Sequence, residues 1–312
     1  DRADADDAVE FERGNVRGRS VGAALMMGER RIELLNKVEI DIFDSPEAAT
    51  SGSKYSSVTS GSASYDRSVD QIRFMTNVSM KLRPAEGGEN DRTDVSAGRV
   101  TIQLATESPE DDPTSATISR YELFENVYIV RSSNGVTAST IDAGYASYEK
   151  KTDRYVLNDG AHITTNSASG QIDMRAAQAI YDQGSLNATL TGNAEVTQGN
   201  GQVKGDKIEA QLYDDRAIKS ASVLGNANAR QVTDTRITTV TGPEILVNWN
   251  NDRLLSKADA IGLSTVRVEP VGQADYSSIN LKAGEALHLA FNAAGLLSEA
   301  RTDGNRDREH RE

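Results

Sequence analysis

The chain has 312 residues, a formal net charge of −13, a pI near 4.8 and no cysteine. Phosphate recognition needs a basic face, so this charge excludes nucleic acid as a partner. The missing cysteines exclude disulfide frameworks, zinc fingers and iron–sulfur clusters.

No apolar run approaches the ~20 residues of a membrane-spanning helix. Only 5% of the residues are aromatic, while Thr, Val, Ile, Gly, Asn and Asp are frequent, a mix that suits strands divided by turns. The acidic opening DRADADDAVEF carries no Met, so a removed start, signal peptide or anchor is expected upstream, and residues 1–7 are expected to be disordered.

GRSVG (18–22) matches the nucleophile-elbow pattern with Ser20 in the nucleophile position. That pattern needs an established strand–turn–helix context, and only 17 residues precede it. The histidines are His162, His288 and His310, none paired at metal-ligand spacing. No catalytic constellation, metal site or cofactor site is expected.

GAALMMGERRIELLNKV (22–38) could form a helix with Leu25, Glu29, Glu33 and Lys37 on one face. Two strands around a turn at Gly28-Glu29-Arg30 fit better, because the later chain repeats that plan. Three stretches read as loops: Ser/Gly-rich 44–66, and the acidic, Pro/Gly-bearing 83–94 and 105–115.

A pattern recurs along the chain: a large apolar residue, three positions, a small apolar residue, one position, a third apolar residue. It stands at Leu123/Val127/Ile129, Leu157/Ala161/Ile163, Leu190/Ala194/Val196, Val223/Ala227/Ala229 and Leu254/Ala258/Ala260, with steps of 34, 33, 33 and 31 residues. Looser copies begin at Leu34, Phe74 and Leu296. In the central copies Asp159-Gly160, Gly192-Asn193 or Gly225-Asn226 interrupts the strand at one fixed place, which predicts a bend built into each repeat. Tyr148, Tyr181 and Tyr213 precede those copies by nine or ten residues. Alternation over Ile208/Ala210/Leu212 indicates antiparallel strands with one dry face, and the fixed period indicates a stacked repeat. The tail 301–312 is too polar to order itself.

Residues 176–215 resemble the repeat of the OstA/LptA/LptC superfamily of periplasmic lipopolysaccharide-transport proteins. The resemblance rests on Ala176, Ala179, Tyr181, Asp182, Leu190, Gly192, Asn193, Val196, Gly201, Gly205, Asp206, Ile208 and Leu212. It extends more loosely over 136–300, and over 8–135 the chain resembles the first repeats of LptC-like proteins.

The resemblance implies an all-β, elongated antiparallel β-jellyroll, or β-taco, built from ~33-residue repeats. It divides the chain into an LptC-like part, 8–135, and an OstA/LptA-like part, 136–300, continuous with the first. It also implies a non-enzymatic carrier that shields lipopolysaccharide acyl chains in an apolar groove between the inner and outer membranes. The groove lining it implies is Leu157, Ile163, Leu190, Val196, Ile208, Leu212, Val223, Ile245 and Val247. Its partners would be lipopolysaccharide or a related lipid, other Lpt-type jellyrolls joined by edge-strand pairing, and an inner-membrane ABC transporter. The compartment would be the periplasm, with an N-terminal tether outside this chain as one arrangement. The competing readings are a structural or adhesive β-solenoid with a filled core and, more remotely, a β-helix carbohydrate-active enzyme.

Overall fold

A computed structural model describes residues 2–13, 16–43, 55–83, 90–105, 117–167, 170–214, 217–250, 255–272, 278–292 and 297–303. Among these residues every regular element is a strand, and the strands of each unit pair antiparallel. The chain divides into an N-terminal unit, Asp1–Ser167, and a C-terminal unit, Ala168–Glu312.

The N-terminal unit is a meander of β1 (Arg2–Arg13), β2 (Val16–Met26), β3 (Arg31–Phe43), β4 (Tyr55–Ser60), β5 (Ser62–Asp66), β6 (Gln71–Leu82), β7 (Arg92–Ala105), β8 (Thr117–Ser133), β9 (Val136–Glu149), β10 (Arg154–Asn158) and β11 (Ala161–Ser167). Strands β4 and β5 share one place between β3 and β6, and β10 and β11 share one place beside β9.

The C-terminal unit follows the same plan. Its strands are β12 (Gly170–Ala176), β13 (Gln178–Asp182), β14 (Asn187–Gln198), β15 (Gly201–Leu212), β16 (Ile218–Val232), β17 (Arg236–Trp249), β18 (Leu255–Ile261), β19 (Ser264–Pro270), β20 (Ile279–Ala283), β21 (Ala286–Phe291) and β22 (Leu297–Thr302). Here β12/β13, β18/β19 and β20/β21 are the split places.

The repeat is one outbound and one return strand, and the two turn the same corner differently. On outbound strands the inward residues flanking the corner lie four apart: Phe74 and Val78, Leu123 and Val127, Leu190 and Ala194, Val223 and Ala227. Between them sit consecutive residues with positive φ: Thr76-Asn77, Glu125-Asn126, Gly192-Asn193 and Gly225-Asn226. Asp159-Gly160 takes the same conformation between β10 and β11. The bend anticipated at Gly192-Asn193 is therefore a two-residue left-handed bulge, repeated along the chain.

On return strands the flanking residues lie only three apart. Their tetrapeptides are Ser60–Ala63, Ala97–Val100, Ala143–Ala146, Ala176–Ala179, Gly205–Ile208 and Gly242–Ile245. Two bulge residues thus oppose one return residue, as Gly192 and Asn193 oppose Asp206. The second return residue repeatedly donates its N–H to the first bulge carbonyl: Gly61 to Thr76 (2.8 Å), Gly144 to Asp159 (3.2 Å) and Ala177 to Gly192 (2.9 Å). Backbone crowding keeps the return corner small. A Cβ on Gly205 would lie 2.7 Å from Val223 Cγ1 and 3.1 Å from the Leu224 carbonyl oxygen.

Several expectations change. Residues 2–7 belong to β1, whose ladder to β2 compensates their acidic composition. Within 44–66, residues 55–66 form β4 and β5; the Ser-rich composition hides the buried Val58 and Ala63. Residues 44–54 lie outside the described residues, as do 84–89 and 106–116, whereas Arg92–Asp94 open β7. The division drawn at 135/136 falls in the β8–β9 hairpin, whose strands pair along their length. Arg301 and Thr302 close β22, and 304–312 lie outside the described residues. The copy at Leu254 is displaced. Its corner is Gly262, with Ala260 and Ser264 as the flanking inward residues. The turn at 27–30 joins two strands as expected.

Candidate inner-face binding site

Neighbouring corners align, so inward residues form rows that run across successive strands of a unit. In the C-terminal unit the row beside the corner runs Leu190, Ile208, Val223, Ile245, Ala260, Leu287. Its members are 0–7% exposed, and Val223, Ile245, Ala260 and Leu287 are fully buried. Beyond the corner a second wall carries Val196, Val203, Ala229, Val240 and Val266 in register. The face is apolar on both sides of each corner and every described element is a strand. The two halves of each bent strand therefore cover one another's dry face.

The nine candidate lining residues divide between the units. Leu157 pairs with Ala146 and Ile163 with Ile141, both in the N-terminal unit. The other seven are in the C-terminal unit, and the structure brings Leu190, Ile208, Val223 and Ile245 into one row. Val247 lies in the next row between Ala221 and Ala258, Val196 stands on the opposite wall, and Leu212 pairs with Ile218 at the strand ends.

The row two residues further from the corner separates the units most clearly. In the N-terminal unit it reads Tyr65, Ile72, Ile102, Tyr121, Tyr148, Tyr155. In the C-terminal unit the same row reads Tyr181, Ala188, Ala210, Ala221, Val247, Ala258 and Leu289, so large side chains stand only at its two ends. The three tyrosines of β8, β9 and β10 pack ring to ring, with centroids 5.3 Å apart for Tyr121–Tyr148 and 4.5 Å for Tyr148–Tyr155. Each such pair is worth ~0.5–1.5 kcal/mol beyond its buried area. Burial, then the neighbouring Tyr155 and Tyr148, pushes the Tyr121 hydroxyl well above its ordinary range. Tyr148 is raised for the same first reason, and its hydroxyl donates to Asp153 Oδ1 at 3.2 Å.

Of these aromatic positions only Tyr148 was singled out in the sequence; Tyr65, Tyr121 and Tyr155 were missed, as were the return-strand residues Val203, Val240 and Val266. The three-residue corner spacing was their signal, and it is legible as SGSA, AGRV, AGYA, AAQA, GDKI and GPEI.

The outer face is charged. Lys204 Nζ lies 3.3 Å from Glu195 Oε2, Lys207 pairs with Glu209, and Arg120 pairs with Glu122. Such exposed pairs keep the face solvated and add little stability, about 0–1 kcal/mol each. His288 Nδ1 meets Asp259 Oδ1 at 2.7 Å and its Nε2 meets Asp303 Oδ1 at 3.1 Å.

Ser20 is a buried corner residue that donates to the Gly22 carbonyl, as Ser264 does to that of Gly262. Its place in the nucleophile-like pattern is a consequence of the corner. No group of acidic, histidine or cysteine side chains among the described residues could hold a metal ion.

A bent, antiparallel repeat with an apolar inner face and a charged outer one defines the class: an all-β protein with a dry interior wall. Residues 114–216 match the family described as LptA/(LptD N-terminal domain) LPS transport protein. The matched segment runs from β8 to β15. The chain is also similar to the crystal structure of LptH, the LptA homologous periplasmic component of the lipopolysaccharide transport device of Pseudomonas aeruginosa. That similarity covers 40% of this chain and 82% of LptH, at 13% identity and a TM-score of 0.28. No curated protein matches the chain.

Proposed function

We propose that the protein is a non-enzymatic periplasmic carrier of the lipopolysaccharide-transport class, which shields acyl chains against its apolar inner face. The observation that carries the proposal is the row Leu190–Ile208–Val223–Ile245–Ala260–Leu287, whose six side chains on β14 to β18 and β21 are all apolar. Burying a CH₂ group stabilises by ~0.8 kcal/mol, so a ~12-carbon chain gains on the order of 10 kcal/mol before costs. A wall of many equivalent apolar positions lets such a chain shift without meeting water. The match of residues 114–216 to an LPS-transport family supports the same reading.

Delivery from an inner-membrane ABC transporter and extension by other jellyroll modules belong to this proposal. The edges suit extension: among the described residues β1 pairs only with β2, and β22 only with β21. Each leaves backbone groups for an added strand. A filled, purely structural core is the second reading, favoured in the N-terminal unit by its tyrosine row.

Mass spectrometry of the protein purified from its native compartment tests the proposal. Acylated lipid at near-stoichiometric ratio is expected, and lipid-free protein with an unchanged fold would contradict it.

A further inference from the structure

The tyrosine row occupies a place that the repeat assigns to the inner wall. Tyr121 stands two residues before Leu123, just as Ala188 stands two before Leu190 and Ala221 two before Val223. Corner, register and strand polarity are the same at these positions, so only the side chain differs. In the N-terminal unit that side chain is a ring locked between rings on the next strands, at 5.3 and 4.5 Å. The Tyr148–Asp153 hydrogen bond ties the middle ring to the turn after β9. Ile102, buried at 8% exposure, carries the row on from Tyr121 towards Ile72. Tyrosine fills such a place rigidly because only two side-chain torsions must be fixed.

We propose that the Tyr121–Tyr148–Tyr155 ladder is a specificity element that fills the inner wall of the N-terminal unit with the protein's own rings, so that acyl chains are held against the C-terminal wall. The inference rests on the lipid-carrier reading above and adds an asymmetry to it. The ladder sets how much hydrocarbon the N-terminal wall accepts.

The test places a photo-crosslinking residue at Ile72 or at Ala221, equivalent positions in the two units, and loads the full chain with purified lipopolysaccharide. Labelling at position 221 is expected to exceed labelling at 72 by about tenfold, the ratio that a ~1.4 kcal/mol preference gives. Replacing two rings together, Tyr121→Leu with Tyr148→Leu, is expected to raise labelling at 72 several-fold. Tyr121→Phe with Tyr148→Phe keeps the rings and is expected to leave labelling unchanged, and circular dichroism checks that each variant is folded. Equal labelling of 72 and 221 in the otherwise native chain would overturn the inference. So would a fall at 72 when the rings are removed, because the tyrosines would then be lipid contacts. Absence of label at both positions would overturn the carrier reading itself.

Discussion

The two units share one corner and differ in what stands beside it. In the N-terminal unit the corner carries Thr76-Asn77 and Glu125-Asn126, and the neighbouring row is Tyr and Ile. In the C-terminal unit the corner carries Gly192-Asn193 and Gly225-Asn226, and the neighbouring row is mostly Ala. Backbone hydrogen bonding and the four-against-three spacing are common to both. The corner is therefore a backbone device that tolerates strained residues, and the side chains next to it decide whether the wall is filled or smooth.

Removing a ring separates the units most strongly. Tyr121→Ala is expected to destabilise the N-terminal unit by ~3 kcal/mol, whereas Ala221→Gly costs the C-terminal unit ~0.5–1 kcal/mol. Trp249, the only tryptophan, lies in β17 and reports the C-terminal unit alone. A urea transition that tyrosine fluorescence shows displaced and Trp249 shows unmoved would establish the independence of the walls.

The return corner gives the next effect. Gly205→Ala forces a Cβ against Val223 and is expected to cost ~1–3 kcal/mol. The N-terminal unit already has Ala97 at the equivalent place, so Ala97→Gly should cost only about 1 kcal/mol. Reversal of that order in urea denaturation would show that the corners are not equivalent.

Exchanging bulge residues has a smaller effect. Thr76 holds φ near +68°, which a β-branched residue seldom adopts. Thr76→Gly should gain ~0.5–1 kcal/mol, the left-handed penalty less the entropy of a freer unfolded chain. Gly192→Thr should lose at least ~1–2 kcal/mol, since its Cβ would also lie 2.7 Å from that of Ala177. Thermal melts of the pair check the opposite signs.

The smallest effect belongs to His288. Its hydrogen bonds to Asp259 and Asp303 raise its pKa, while Lys257 also pairs with Asp259 at 2.7 Å. A raised folded pKa makes the stabilisation complete below the ordinary value of ~6.5 and lost as pH climbs through the raised one. Because the ring is 40% exposed, the effect on β22 should stay under ~0.5 kcal/mol. Hydrogen exchange of β22 should quicken as pH rises, after correction for intrinsic rates, and His288→Gln should remove that dependence.

Much of this was legible in the sequence, and the limits have physical causes. The period of 33 and the bend at Gly192-Asn193 follow from the outbound strand, where Leu190, Ala194 and Val196 keep one parity. The return strand was harder, because its inward set changes parity at the corner: Val203 and Gly205 are odd-numbered, Ile208 and Ala210 even. A period-2 search stops at such a flip. Residues 55–66 were hidden by serines whose backbone, rather than side chains, makes the ladder. The tyrosine row was missed because Tyr148 stands out as a turn-flanking residue in its own segment, and only the register reveals Tyr121 and Tyr155 beside it.

The central claim is that lipid meets the inner face and not the outer one. Glu195 and Val196 are adjacent in β14 and face opposite ways, so photo-crosslinkers at these two positions test it most directly. With bound lipopolysaccharide, Val196 should be labelled at least about tenfold more than Glu195. Equal labelling of the two would contradict the account.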